Sequence, residues 1–400
     1  MISLAPYRGI LAVADFRRSA LASVLARLPL GLASLSLLLA VQESTGDSAL
    51  AGLISGLYVL GLGLVAPVVG RIIDRFGPRA LLLFSGFAYP LLMALLIAAI
   101  GLQMTALWWA PLAVLCGATL PQVTVQMRSA IPRLLPEPGM RQAAFTIDTL
   151  IIEAVFIVGP PLCGLFLLAG GPLWATATAA ACGGIGALWF LRTPAVRGWV
   201  RHPGRELDRS LVGALREPGL RAVLWSCLFY SLCFGLFEIG VAAFCQSFGA
   251  PEHTGWVLGL ASIGSATGVL IYGSRNWPGG LTGQYRVGLL CTGLLLAMAA
   301  LTPSLTWLYP LTLLASVPMA SVLVMQSLLV ARIAPAGRIA ESYTWVGTAL
   351  LFGISAGLIG GGMLVAISSA ADAVWAACGC ALLATWLGRR VHRHQPITSV

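Results

Sequence analysis

Twelve apolar stretches of about 20 residues, separated by short polar connections, constrain this chain more than any other feature of its sequence. A stretch of about that length is needed for one α-helix to cross the hydrocarbon core of a bilayer. Hydrophobic residues make up 58% of the chain and charged residues only 10%, whereas soluble proteins carry about 25% charged residues. We therefore predict an all-α integral membrane protein with twelve transmembrane helices. The predicted spans 1 to 12 are Ser19–Val41, Ala49–Val69, Ala80–Leu102, Leu107–Met127, Ala143–Ala169, Leu173–Leu191, Arg221–Ser247, Gly255–Gly273, Val287–Leu301, Trp307–Ala331, Tyr343–Ile367 and Ala373–Leu387.

The positions of the arginines predict the orientation of these spans. All 24 basic residues are arginine, and every one except Arg27 lies in a terminal segment or in every second connection. Because basic residues accumulate in cytoplasmic loops, we place these connections and both termini inside, in the cytoplasmic membrane of a bacterium. This placement accounts for the net charge of +10 without a nucleic-acid partner. Charged residues from Arg8 to Arg18 precede the first long apolar run, so we expect span 1 to be retained and not cleaved as a signal peptide.

The spans fall into two groups of six, separated by a charged segment. We predict an N-terminal six-helix bundle over residues 1–191, a cytoplasmic linker over 192–219 and a C-terminal six-helix bundle over 220–400. Within the linker, Leu207, Leu211 and Leu215 recur every four residues, which predicts a short amphipathic helix on the inner membrane face. A spacer between two moving halves explains this segment better than a regulatory site does.

The connection between spans 2 and 3 carries a motif, GRIIDRFGPR, from Gly70 to Arg79. It resembles the G-x-x-x-D-R-x-G-R-R motif of the major facilitator superfamily, found at the same place in that fold, and departs from it at Pro78. The matching residues are Gly70, Asp74, Arg75, Gly77 and Arg79. The resemblance implies a twelve-helix transporter in which this loop latches the two halves on the cytoplasmic side, with Asp74 meeting the start of span 11 at residues 338–342. An ordinary loop of the positive-inside type is the alternative, and it requires only the arginines.

A second resemblance lies in span 5. Gly159, Pro160, Pro161 and Gly164 are similar to part of the glycine-proline motif that exporters of this superfamily carry in helix 5, although its upstream glycines are missing. The two prolines predict a kink, and the glycines permit close helix packing. The arginine motif of helix 4 in well-known drug antiporters has no counterpart, because residues 116–126 carry no charge.

Four ionisable residues lie inside the predicted spans: Arg27, Asp148, Glu153 and Glu238. A charge at membrane depth is costly unless it is paired or hydrated, so these groups are expected to face the protein interior or water. We predict an ion pair between Arg27 and either Asp148 or Glu153. In the functional interpretation, a carboxylate exchanges a proton or a cationic substrate for the arginine as the cavity alternates between the two sides. A static structural pair is the alternative.

Candidate residues for a substrate cavity surround Glu238 or lie near the inner ends of spans 4, 10 and 11. An acid among aromatic side chains suits a cationic, amphipathic molecule, while helix packing explains the aromatic residues equally well. The candidates are Tyr230, Phe234, Phe237, Trp345, Gln122, Gln126 and Gln326.

Together these features predict a secondary active transporter that moves a small organic molecule by alternating access. We expect proton-coupled efflux, no metal or cofactor, a proton gradient as the energy source and a monomer in the bilayer. An uptake symporter is the near alternative. A polytopic membrane enzyme is the alternative from another class, but no histidine–carboxylate cluster or nucleophile motif supports it. The nine cysteines lie in apolar stretches and are interpreted as packing residues.

Overall fold

The structure is a computed structural model that describes residues 9–10, 12–135, 138–198, 213–273, 277–335 and 338–392. Twelve helices in these ranges are long and apolar enough to cross a membrane, and we number them α1 to α12. In order, they are Ala14–Thr45, Ser48–Phe76, Pro78–Gly101, Ala106–Thr119 continued by Val123–Leu134, Pro138–Ala169, Pro172–Leu191, Pro218–Ser247, His253–Gly273, Leu281–Ala300, Leu305–Ile333, Ile339–Ile367 and Ala370–His392. They confirm the all-α class and the twelve spans predicted from the sequence.

The helix ends follow from local sequence chemistry. Asp47 precedes α2 and its Oδ1 accepts hydrogen bonds from the amides of Ala49 and Leu50, at 2.8 and 3.2 Å, which caps the helix. Several helices begin at a proline, which lacks the amide hydrogen that a first turn leaves unpaired. Gly46 ends α1 with φ of +68°, a conformation that glycine adopts without steric cost.

Two helices differ from the sequence prediction, and one predicted helix cannot be compared with the structure. The predicted single helix of span 4 is interrupted at residues 120–122, because Pro121 cannot donate the hydrogen bond that would continue it. Helix α9 begins at Leu281 rather than Val287, so this span, which was predicted to be short, is 20 residues long. The predicted amphipathic linker helix lies almost wholly outside the described residues; its last leucine, Leu215, stands in the 3-10 turn Ala214–Arg216.

Successive helices run in opposite directions, so the even number of crossings brings the start of α1 and the end of α12 to the same end. We call that end the inner end and the opposite one the outer end; the arginine distribution predicts that the inner end is cytoplasmic. Among the first six helices, α1 packs on α5 and α6, α2 on α4, and α3 on α6. Among the last six, α7 packs on α11 and α12, α8 on α10, and α9 on α10 and α12.

The two groups of helices touch along α2 with α11 and along α5 with α8. Gly52 lies against the backbone of Gly362, and Gly63 lies against Leu351. Ser355 Oγ also donates a hydrogen bond of 2.8 Å to the Gly56 carbonyl. Small residues let helix backbones approach closely where lipid provides no hydrophobic driving force. The contact between α2 and α11 therefore extends from the outer end to about the middle of both helices.

Candidate functional site

A buried charge cluster lies in the inner half of the first six helices. Arg27 Nη2 of α1 is 2.5 Å from Asp148 Oδ1 of α5, and Arg128 Nε of α4 is 2.9 Å from Asp148 Oδ2. The exposed fractions of the Arg27 and Asp148 side chains are 1% and 0%, whereas that of Arg128 is 47%. Two guanidinium groups on one carboxylate leave an excess positive charge, and only Arg128 of the two arginines is exposed.

Close packing of α1 on α5 positions this cluster. A Cβ atom on Gly31 would collide with the Val155 carbonyl, and one on Gly159 would collide with the Gly31 backbone. The two helix axes are therefore close at this level. Arg27 lies one turn inward of Gly31, which brings its guanidinium group to Asp148. The structure thus pairs Arg27 with Asp148 and not with Glu153, the other partner considered from the sequence.

Glu153 lies on a different face of α5. It precedes Pro160 by seven residues, or two turns, so both residues lie on one side of the helix. The Pro160 carbonyl lies against Gly255 of α8, in the other helix group. Glu153 is therefore directed toward the second group of helices, where its side chain is half-buried. In the described part of the chain, no guanidinium or imidazole group lies within ion-pair distance of Glu153.

Glu238 also lies between the two groups. Its carboxylate, on α7, is a neighbour of Ser34 on α1 and of Cys163 on α5. The residue is half-buried, and none of the ion pairs among the described residues includes it. Two carboxylates without a cationic partner, Glu153 and Glu238, are thus found where the helix groups meet.

The glycine-proline segment of α5 forms the crossing with α8. A Cβ atom on Gly255 would meet the Pro160 carbonyl, and one on Gly259 would meet the Pro161 ring. A Cβ atom on Gly164 would lie 2.7 Å from the Glu252 carbonyl. The segment in which the prolines predict a kink therefore makes the close contact between the two helix groups.

Two of the predicted cavity residues lie inside the second helix group instead. Tyr230 has 0% exposure, and its hydroxyl donates a 2.7 Å hydrogen bond to the Met319 carbonyl of α10. Phe237, at 4% exposure, packs in an apolar cluster with residues of α8, α10 and α12. Phe234 makes an edge-to-face contact with Tyr230, with ring centroids 5.1 Å apart. An aromatic pattern on one helix cannot separate a packing stripe from a cavity wall, and here Tyr230 and Phe237 form the packing stripe.

The remaining cavity candidates are dispersed. Gln126 and Gln326 are 3% and 2% exposed, and Gln326 is a neighbour of Cys227 on α7. Gln122 is half-buried at the break in α4. Trp345 is half-buried in α11.

The structure describes only part of the motif at residues 70–79, where α2 ends and α3 begins. The backbone of Gly70, Asp74 and Arg75 is helical, but their side chains lie outside the described ones, and so does the predicted contact of Asp74. Gly77 ends α2 with φ of +85°, which explains the need for glycine at that position. Arg79 is exposed.

At the start of α11, Glu341 contacts the linker. Glu341 Oε1 accepts a 2.9 Å hydrogen bond from the Ala214 amide at the end of the linker, and Glu341 Oε2 is 3.2 Å from Arg338 Nη1. The linker is therefore attached to α11 at the inner end.

Sequence reasoning missed two features of the region between the helix groups. Arg128 was counted among the loop arginines, because its contact with Asp148 depends on the tertiary placement of α4. Gln42 of α1 and Gln246 of α7, which form a hydrogen bond of 2.8 Å at the outer end, give no signal in the sequence. Within the described ranges, no group of three or more histidine, cysteine, aspartate or glutamate residues is placed to hold a metal ion.

Comparison with known proteins gives one family. A family model described as the Major Facilitator Superfamily matches residues 19–282. The MFS-type transporter y4rN of Sinorhizobium fredii, itself described as uncharacterized, is 26% identical over 273 residues, and the match spans 66% of this chain and 66%, just under two thirds, of y4rN.

Two solved structures illustrate the likeness in fold. The nucleoside transporter NupG superimposes with a TM-score of 0.72 at 13% identity, over 95% of this chain and 99% of NupG. A bacterial homologue of the human lysosomal transporter Spinster, in an inward-facing and occupied conformation, superimposes with a TM-score of 0.69 at 15% identity, over 97% of each chain. At such identities the superpositions establish a shared fold and no shared substrate.

Proposed function

Because the chain belongs to the major facilitator superfamily, we propose that it exports a small cationic or amphipathic organic molecule in exchange for protons. Membership makes it a membrane-embedded secondary transporter and not an enzyme. The direction of transport, the coupling to protons and the chemical class of the substrate are our proposal. The bacterial cytoplasmic membrane is the proposed location.

Alternating access requires that contacts between the two groups of six helices, called the bundles from here on, break at one end and form at the other. In the conformation described here, α2 with α11 and α5 with α8 are joined by backbone contacts at glycines such as Gly52 and Gly255. Such contacts carry few side-chain interactions and can separate without burying or exposing charge. They support a rocking movement of one bundle against the other.

The observation that carries the proposal is the pair of carboxylates without a cationic partner, Glu153 and Glu238, where the bundles meet. A carboxylate in a poorly hydrated site gains by binding a proton or an organic cation. It cannot hold both at once, so binding of one releases the other. Competition for the same group, repeated on the two sides of the membrane, exchanges protons for the cation.

The buried cluster supplies a third carboxylate, Asp148, whose state depends on its partners. Asp148 is held by Arg27, which is buried, and by Arg128, whose side chain is about half exposed. Movement of Arg128 would leave Asp148 paired with Arg27 alone, without exposing an unpaired carboxylate. We assign this cluster to holding α1, α4 and α5 together rather than to carrying the transported proton.

Export rather than uptake is supported by the α5 segment. Gly159 to Gly164 resembles the exporter motif and forms the crossing with α8. Its prolines remove amide donors, which reduces the hydrogen bonding that holds the helix straight. A change of bend here would change the contact between the bundles.

The test uses proteoliposomes and the fluorescent cation ethidium. An imposed proton gradient should drive ethidium out of the compartment to which the inner ends face, and a protonophore should abolish the movement. Glu153→Gln and Glu238→Gln should each reduce the proton-driven rate at least tenfold. Glu217→Gln, at the start of α7 where the side chain caps no amide, is the matched control.

Two results would count against the proposal. Movement of ethidium with the protons, not against them, would indicate an uptake symporter. Undiminished proton-driven movement in both variants would remove the two carboxylates from the coupling mechanism.

A further inference from the structure

Side chains of α1 and α7 approach each other at two levels in the outer halves of these helices. Gln42 Nε2 donates a hydrogen bond of 2.8 Å to Gln246 Oε1, and two turns inward Ser34 lies beside Glu238. The residue numbers differ by 204 in both pairs. Both side-chain pairs would therefore separate if α1 and α7 moved apart at their outer ends.

A cavity of about 260 Å³ lies directly outward of Glu238, between the bundles. Its wall includes Ala242, one turn beyond Glu238 on α7, and Leu38, one turn beyond Ser34 on α1. One turn of helix is about 5.4 Å, so the cavity ends close to the carboxylate. It is large enough for several water molecules, and its polar groups give them hydrogen-bond partners. The polar lining residues are Gln42, Glu43, Ser48, Gln246 and Glu252.

We propose that Glu238 takes up its proton from the outer side through this cavity, and that the Gln42–Gln246 hydrogen bond closes the path in the present conformation. The inference rests on the proposed function, in which Glu238 carries a coupled proton. When α1 and α7 separate at their outer ends, water in the cavity reaches the carboxylate. A hydronium ion then gives its proton to Glu238 and leaves water behind, with no other reactant.

The surroundings of the path fit this role. Gln42 Nε2 of α1 also donates a hydrogen bond of 3.1 Å to Ser48 Oγ of α2. The Gln42 side chain is therefore positioned by a contact with α2 as well as by its bond to Gln246. Glu43 and Glu252 add negative charge at the outer cavity, which raises the local concentration of protons.

Other titratable groups face the path and must be separated from Glu238 in any measurement. Cys163 of α5 is beside Glu238. Glu43 and Glu252 lie on the cavity wall. His253 adjoins Glu252, and its Nδ1 is 2.7 Å from the Tyr309 hydroxyl.

The test follows protonation of Glu238 itself and needs no substrate. Infrared difference spectra of proteoliposomes with one orientation, in which the inner pH is clamped and the outer pH is stepped, would report the carboxylic acid band. Glu238→Gln assigns the band, because it removes only this carboxyl and leaves the other titratable groups in place.

A disulfide lock then tests the barrier. In the Gln42→Cys/Gln246→Cys variant, oxidation should stop the band from following the outer pH, and reduction should restore the response. Each single cysteine variant, treated with the same oxidant, is the control. A response that persists in the locked protein, or that is absent in the unlocked wild type, would overturn the proposed path.

A milder variant covers the case in which the double cysteine protein does not fold. Gln42→Ala should make proton exchange at Glu238 about fivefold faster, the ratio that corresponds to loss of one hydrogen bond between neutral groups. Gln103→Ala is the matched control, because it removes a 2.9 Å hydrogen bond to Ser44 at the same outer surface but within one bundle. Equal rates in the two variants would contradict the assignment.

These outcomes are separate from those of the proposed function. Glu238 can respond to the outer pH in a protein that does not couple ethidium to protons, which would refute the exchange mechanism alone. Ethidium export driven by protons, together with a Glu238 that ignores the outer pH, would refute the path alone.

Discussion

Replacing Asp148 with asparagine should reduce the free energy of unfolding by about 3 kcal/mol. The carboxylate is fully buried and accepts two charge-assisted hydrogen bonds, at 2.5 Å from Arg27 and 2.9 Å from Arg128. Each such bond contributes about 1.5–3 kcal/mol, against about 0.5–1.5 kcal/mol for a neutral one. The amide keeps a weaker acceptor but leaves the Arg27 guanidinium, 1% exposed, without a counter-charge.

The two arginines should respond differently because their exposures differ. Arg128→Ala leaves the Asp148 carboxylate paired with Arg27, so it should cost about 1.5 kcal/mol, the lower end of the range for a charge-assisted hydrogen bond. Asp148→Asn instead leaves the buried Arg27 without a counter-charge. Removing the buried pair altogether, as Arg27→Met with Asp148→Leu, should recover most of the loss, because well-packed apolar groups replace a buried ion pair at little cost.

The measurement is unfolding by SDS in mixed micelles, followed by thiol labelling of cysteines that the fold buries. Cys116 and Cys163 have 0% exposure and become reactive only on unfolding. An equal loss of stability in Asp148→Asn and Arg128→Ala would refute the reasoning from burial. A double variant no more stable than Asp148→Asn would refute the claim that the uncompensated Arg27 charge causes the loss.

Three other substitutions test packing and conformational balance. Gly268→Ala should lower the free energy of unfolding by about 1–3 kcal/mol, because the added methyl group collides with the Val317 carbonyl of α10. Gly283→Ala is the control: there is open space around its Cβ position, so the same SDS titration should show no change. Tyr230→Phe should cost about 1 kcal/mol through loss of the bond to the Met319 carbonyl, and ethidium export should be unchanged; a selective loss of export would return Tyr230 to the cavity. Ser355→Ala removes the hydrogen bond to the Gly56 carbonyl between α2 and α11, and spin-label distances should then show about fivefold more molecules with the outer ends of these helices apart. An unchanged distribution of distances would mean that this bond does not hold the outer ends together.

Helix count and fold class could be read from the sequence because both depend on local physics. A span needs only enough apolar residues in a row, and the bilayer excludes unpaired backbone groups, so each stretch has one available structure. The four intramembrane charges were equally visible, because any charge in an apolar stretch is costly. The break at Pro121 was visible as a proline but lies in a stretch whose hydropathy continues across it.

The partners of those charges depended on the tertiary structure. From the sequence, Arg27 could pair with Asp148 or Glu153, since both lie on α5 within reach. The contact of Gly31 with α5 sets the level and direction of approach, which selects Asp148. Arg128 joins the cluster only because α4 returns beside α1 and α5, which no spacing in the chain encodes.

The sequence by itself determined what the bilayer demands of each segment: twelve apolar helices and a small number of charges that must find partners. Only the tertiary structure decided which side chains meet between the bundles. Tyr230 packs inward, Glu153 and Glu238 face the interface, and Gln42 reaches Gln246. The reason is that burial in lipid acts on each helix separately, whereas pairing depends on the rotation and register of two helices that are far apart in the chain.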